Sequence, residues 1–330
     1  MNKTQRFKEY IKSEYDIDYV GIAKASALDS EPQYHRPQDV LPGAKTIVVL
    51  VRRIVDGAIQ SLFRTYENKQ TAAQSSYAAY ASNNAANFML VDATVNIAGD
   101  IEEDFGAVAV PLPFNIQQST LPEKYLGAIW SDPYGQGLPI DIFKAAWAAG
   151  LGEFGWNNRF MTPQDGPRVL VSAILTTMDF DTDEPYSGPK LCDPEKCGIC
   201  AKICPTQAIK EAAKQISING AFQKVSDLNI NSCNIAEMAM RKQFMGRVPV
   251  PDQILGNEAT DEEFIEAFKK KPMDPLHVDH YPRYMCDRCL VYCPVGNWKE
   301  RFRDTNQSSF DPDTGKFDEN VKKYGTLNNM

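Results

Sequence analysis

Eight cysteines fall in two runs and a singleton: Cys192, Cys197, Cys200 and Cys204-Pro205, then Cys233, then Cys286, Cys289 and Cys293-Pro294. A cubane iron–sulfur cluster needs four thiolates converging within a few ångströms, and two intervening residues let a tight loop aim successive side chains inward. The soft thiolate suits iron–sulfur chemistry. In two-cluster ferredoxins the cysteine before proline ligates the other cluster. That rule predicts one [4Fe-4S] set of Cys192, Cys197, Cys200 and Cys293, and a second of Cys204, Cys233, Cys286 and Cys289. The first run departs from the bacterial spacing, with four residues (Asp193 to Lys196) between its first two cysteines where the pattern has two. Two zinc sites or a disulfide framework are the alternatives. Neither accounts for two Cys-x-x-x-Cys-Pro endings, and the only histidines are His35, His277 and His280, with no zinc-type spacing.

A chain of 330 residues that is 43% hydrophobic can bury a sizeable core and divide into two units. No stretch is long and apolar enough to span a membrane. The N-terminus runs directly into an amphipathic pattern with Phe7, Tyr10 and Ile11 on one face, and no apolar h-region or twin-arginine pair precedes it, so a cytoplasmic location is expected. A formal charge of -8 and a pI near 5.1 disfavour nucleic acid as a partner.

Along the chain the pattern reads as an α/β unit. It predicts a helix near 4–14, strands at Ile17–Ala23 and Thr46–Val51, a helix over Ala72–Asp104, and a strand over Ala107–Leu112. Pro113–Leu138 is a loop rich in Pro, Tyr and Trp. A short helix to Ala149, a glycine turn and a strand at Val169–Thr176 follow. Polar, turn-rich Asp179–Lys190 marks a boundary near residue 185. Beyond it we expect a helix over Pro205–Ala213, another from Cys233 through Met245, a loop at Gly246–Ala259, and a helix through Lys270 opened by the capping box Thr260-x-x-Glu263. Residues 186–300 would form the cluster unit and 301–330 a polar, surface-draped tail.

Gly150, Gly152 and Gly155 spell Gly-x-Gly-x-x-Gly, but the order helix, turn, strand is wrong for a dinucleotide site. A helix C-cap followed by a tight turn is the plainer reading. Phosphate-binding Gly-x-x-x-x-Gly-Lys is missing, and so is Asp-x-His-x-x-Gly.

Taken with the cysteines, several stretches resemble the reductive dehalogenase and epoxyqueuosine reductase superfamily of cobalamin-dependent iron–sulfur enzymes. They are Asp18–Ala23, Leu41-Pro42-Gly43-Ala44-Lys45-Thr46-Ile47-Val48-Val49, Ala149-Gly150-Leu151-Gly152-Glu153 and Gly166-Pro167-Arg168-Val169. The last two look closer to the dehalogenase branch. The resemblance covers nearly the whole chain and implies an α+β architecture: a nitroreductase-like α/β unit holding base-off cobalamin, followed by a ferredoxin-like unit with two [4Fe-4S] clusters. It implies electrons from an external low-potential donor such as ferredoxin or flavodoxin, relayed through the clusters to the corrinoid, which performs the chemistry on a small-molecule electrophile such as an organohalide. By the same resemblance Gly150, Leu151, Gly152, Gly155, Trp156, Asn157, Asn158 and Arg159 approach the corrin. Tyr134 is the first choice of proton donor and Asp132 the second, with Arg159 or Arg168 as the polarising cation; Trp130 and Trp156 would wall the pocket.

Three other functions stay open. The epoxyqueuosine branch would make tRNA the substrate, and the acidic charge and missing Val-Asp-Thr-like motif count against it. A plain electron carrier needs only about 60 to 100 residues for two clusters, whereas some 190 precede them here. A reductive activator of a separate corrinoid protein lies between. Flavin is a further cofactor possibility, since scaffold does not fix cofactor.

Overall fold

Strands β2 (Thr46–Arg53) and β6 (Val169–Thr176) are apolar along nearly their whole length and buried on both sides, so this sheet must be covered on both faces. The computed structural model describes residues 2–60, 62, 77, 81, 85–112, 140–218, 220–230, 232–233, 260, 286–296, 310–311 and 316–317. Within them β1 (Tyr19–Lys24), β2, β6 and β3 (Ala109–Leu112) form one sheet in the order β1-β2-β6-β3, with every pair antiparallel. Val49 stands opposite Gly21 on one side and Ala173 on the other.

Helix α1 (Lys3–Tyr15) and helix α3 (Ala85–Phe105) cover one face. Helix α1 begins where the Asn2 side chain accepts from Gln5 N and ends at Asp16 in the left-handed region. It buries Phe7 and Ile11 one turn apart; Phe7 stacks on Phe180 at 4.9 Å with the edge of Phe105 at 5.2 Å. Helix α3 sets Leu90, Ile97 and Ile101 against Val48, Leu50 and Ile174, and Thr94 shares a 2.6 Å hydrogen bond with Ser172 of β6. Helix α4 (Ile142–Ala148) covers the other face, packing Ala145, Ala146 and Trp147 on Val49, Val171 and Ala173. The period of two along β2 and β6 therefore feeds two separate cores. The short helix α2 (Pro37–Val40) precedes β2.

After β6 the chain is stitched back onto this unit. Asp181 N donates to Thr4 Oγ1, Asp183 N to Ile22 O, and the Asp183 carboxylate pairs with Lys8 at 2.5 Å. The cysteine segment follows: α5 (Ile199–Ile203), a hairpin of β7 (Ala213–Ile218) and β8 (Ala221–Ser226), and α6 (Arg288–Val291), which packs beside α5. The expected helix over Pro205–Ala213 is not formed. Residues 205–212 are turns and coil, and Ala213 opens β7 instead. Residues 232–233 are helical as expected, but the rest of that helix, the Thr260 helix except Thr260, and most of the tail lie outside the described residues. Within the tail Phe310–Asp311 (β9) pairs with Lys316–Phe317 (β10). The mixed α+β class stands. Among the described residues no helix is long and apolar enough to cross a membrane.

Candidate metal centre

None of the eight cysteines is in a disulfide. Asp193 O accepts from Lys196 N and Cys197 N, turning the chain sharply before α5, which Gly198 opens at φ +63. Cys200 lies on α5 and Cys204 closes it. On the other run, Asp287 opens α6, which carries Cys289, with Cys286 just before it and Cys293 just after. Packing α5 beside α6 interleaves the two runs. Cys293 lies near enough to Cys192 and Cys197 for their charges to oppose one another, and Cys200 near Cys192, Cys197, Cys289 and Cys293. Cys204 likewise neighbours Cys286 and Cys289. Among the described residues no three of His, Cys, Asp and Glu converge at single-ion distance, so the thiols are gathered without meeting at one point.

Burial holds these thiols neutral: it pushes Cys289 up to about 11 and Cys293 up to about 12, and raises Cys200 and Cys286 further. Opposing that, backbone N–H groups donate to sulfur, Trp156 N to Cys192 Sγ at 3.3 Å and Ala208 N to Cys204 Sγ at 3.2 Å. Arg159 favours the Cys289 thiolate, Arg168 and the Val295 N–H that of Cys293, and the Arg288 N–H that of Cys286. Ligation by metal takes the thiol proton outright, and N–H and cationic groups facing sulfur are the surroundings that steady a negatively charged cluster. The residues present fit iron–sulfur clusters.

The turn from Gly150 to Arg159 is expected at a corrin, and in the structure it belongs to a longer stretch, 150–168. That stretch forms the seam between the sheet unit and both cysteine loops. Helix α4 ends in a Schellman motif, with Gly150 N bonding Trp147 O and Leu151 N bonding Ala146 O. Gly150 sits at φ +72, and a Cβ there would meet Glu184 O at 2.1 Å. The other two glycines are likewise fitted to protein: a Cβ on Gly152 would meet Met161 O, and one on Gly155 would meet Asn157 Oδ1 and the Met161 sulfur. Leu151 lies over Gly21 of β1. These small residues let the chain pack closely on itself.

Beyond the turn, β4 (Glu153–Phe154) and β5 (Phe160–Met161) form a short hairpin whose tip reaches across the seam. Trp156 binds Cys192 through its N–H and accepts from Ser226 N through its carbonyl. Asn157 Nδ2 donates to Cys289 O at 3.4 Å, and Asn158, in the left-handed region at φ 61, donates to Ser226 O at 2.9 Å. Arg159 pairs with Asp287 at 2.8 Å. Arg168, expected as a cation beside the proton donor, has its guanidinium against Leu290 O, Cys293 O and Val295 O, which makes it a clamp on the second cysteine loop. Tyr134, Asp132 and Trp130 lie outside the described residues.

Sequence reasoning missed Glu153 and Asp287 as members of this seam. Glu153 accepts from Leu191 N and Cys192 N through one carboxylate oxygen, and Asp287 takes both Arg159 and the Tyr77 hydroxyl. Only the placement of Asp287 between Cys286 and Cys289 could have flagged it. An open cleft of about 580 Å³ lined by Lys24, Ser26, Gln38, Lys45 and Thr46 is bordered by none of these residues.

No family model matches the chain. An epoxyqueuosine reductase of Gloeobacter violaceus is 26% identical over 217 residues, covering 59% of this chain and 57% of that protein. One from Synechococcus sp. (strain RCC307) is 38% identical over 72 residues, 21% of each. The chain thus matches little more than half the length of the first of these relatives. Among solved structures, a selenomethionine-labelled epoxyqueuosine reductase matches with a TM-score of 0.53 at 16% identity, over 89% of this chain and 65% of that one. At that identity the match establishes the fold. Sequence and fold together support the resemblance drawn from the cysteines and the stretches around them: the chain is similar to the superfamily that includes the epoxyqueuosine reductases.

Proposed function

We propose that the chain is an iron–sulfur corrinoid reductase that delivers low-potential electrons to an electrophilic carbon. The observation that carries this reading is the interleaving of the two cysteine runs, each sulfur group flanked by N–H donors and arginines. Cys192, Cys197, Cys200 and Cys293 would hold one [4Fe-4S] cluster, and Cys204, Cys233, Cys286 and Cys289 the other, within a ferredoxin-like unit of α5, α6 and the β7–β8 hairpin. A corrinoid, when bound, supplies a strongly nucleophilic reduced metal. The chain's own contribution from the seam is to fix both cysteine loops against the sheet unit and keep water from the sulfurs.

On substrate, the relatives reported above are all named epoxyqueuosine reductases, which favours an epoxide on a modified tRNA nucleoside over an organohalide. The stretches that resembled the dehalogenase branch, 149–153 and 166–169, have packing duties in the seam and so say little about substrate. Net charge bears on such a substrate only through the local surface that a stem loop would meet. The test is anaerobic purification with iron, sulfide and cobalt quantified, followed by parallel assays on an epoxyqueuosine-bearing stem loop and a halogenated phenol. About eight iron per chain is expected for two such clusters, with one cobalt and turnover of the stem loop. Turnover of the phenol alone would restore the organohalide reading, and iron without cobalt would reduce the chain to an electron carrier.

A further inference from the structure

We propose that Arg168 sets the reduction potential of the cluster bound through Cys293, acting as a fixed positive charge clamped to that cysteine's own backbone. The proposal rests on the iron–sulfur reading above. Arg168 sits at the mouth of β6, and only 1% of it is exposed. Its guanidinium crosses the seam: Nη1 donates to Cys293 O at 2.9 Å and Leu290 O at 3.2 Å, and Nη2 donates to Val295 O. The socket is cut to admit it. A Cβ on Gly166 would stand 3.1 Å, and one on Gly296 2.9 Å, from Nη2.

A guanidinium does not deprotonate in proteins, so this charge is permanent at every working pH. In a buried setting the effective dielectric is low, and a charge acts far more strongly than it would at the surface. Adding one electron to a cluster makes it more negative, and a neighbouring cation stabilises that reduced form, which raises the potential. No bond breaks and no proton leaves the guanidinium. Proximity to a ligand cysteine distinguishes this role from that of a clamp alone, which any group able to hold three carbonyls could fill.

The experiment is an anaerobic potentiometric titration of the reconstituted full chain with dithionite as electron source, read by electron paramagnetic resonance. Arg168→Gln should move one of the two cluster midpoints to more negative potential and leave the other in place, at unchanged iron content. Arg168→Lys, which keeps the charge, should titrate as the native chain does. Unmoved midpoints in Arg168→Gln, or equal movement of both, would overturn the proposal. Should Arg168→Gln lose iron, Arg168→Met, which also removes the charge, takes its place: one midpoint moved to more negative potential supports the proposal, and native midpoints overturn it. A native chain that holds no iron would instead sink the iron–sulfur reading itself.

Discussion

Asp141 caps α4, accepting from Phe143 N at 3.0 Å and Lys144 N at 3.1 Å. Those donors favour its charged form, but desolvation outweighs them and raises its carboxyl above the usual 3.8. A group whose folded value is raised contributes stability that is present below the unfolded value and lost as pH rises through the folded one. At neutral pH the charge is therefore a burden while the cap is an asset. Asp141→Asn keeps the acceptor without the charge and should unfold at an equal or higher denaturant concentration at pH 7, its advantage disappearing toward pH 3. Asp141→Ala removes the cap and should cost about 1 kcal/mol. Arg159 poses the opposite case. With Asp287 only 1% exposed, Arg159→Met would leave a buried carboxylate supported by Tyr77, a loss of about 3 kcal/mol on the scale of broken buried pairs. Denaturation under anaerobic conditions would measure it, and Arg159→Met with Asp287→Asn, which removes the charge and tolerates the left-handed backbone there, should recover part of the loss.

At the scale of elements, the pieces with a strong period were readable and those ruled by turn chemistry were not. Strand β6 matches its expected bounds of Val169–Thr176, and α1 and β2 fall within two residues of theirs, because uninterrupted apolar runs admit few alternatives. The β7–β8 hairpin was passed over although Asn219-Gly220 separates two alternating stretches, with Gly220 at φ +82. Pro205 was read as a helix start, whereas Gln207 at φ 52 breaks any helix there and lets Ala208 N reach Cys204 Sγ. The glycine turn was legible as a C-cap, but its partners were not, since Glu184 and Cys192 approach it only in three dimensions. The interleaving of α5 and α6 yields its own prediction. Cys204→Ala should deplete the cluster built mainly on Cys286 and Cys289, and Cys293→Ala the one built on Cys192, Cys197 and Cys200. Iron analysis with resonance spectra of each variant distinguishes this from loss confined to the local run, which would refute the crossed sets.

For the molecule as a whole, the seam matters more than either unit's interior. Residues 150–168 touch the first cysteine run through Trp156 and Glu153, the hairpin through Trp156 and Asn158, and the second run through Asn157, Arg159 and Arg168. One stretch of backbone thus registers three separate segments. A substrate was not legible in the sequence, because the resemblances that pointed to a branch fell on this seam. The clamp at Arg168 also orders events in time. Its nearest carbonyl partner in sequence, Leu290, comes 122 residues later. The clamp can therefore close only once the whole second cysteine run has been made, so the seam is among the last contacts the growing chain can complete.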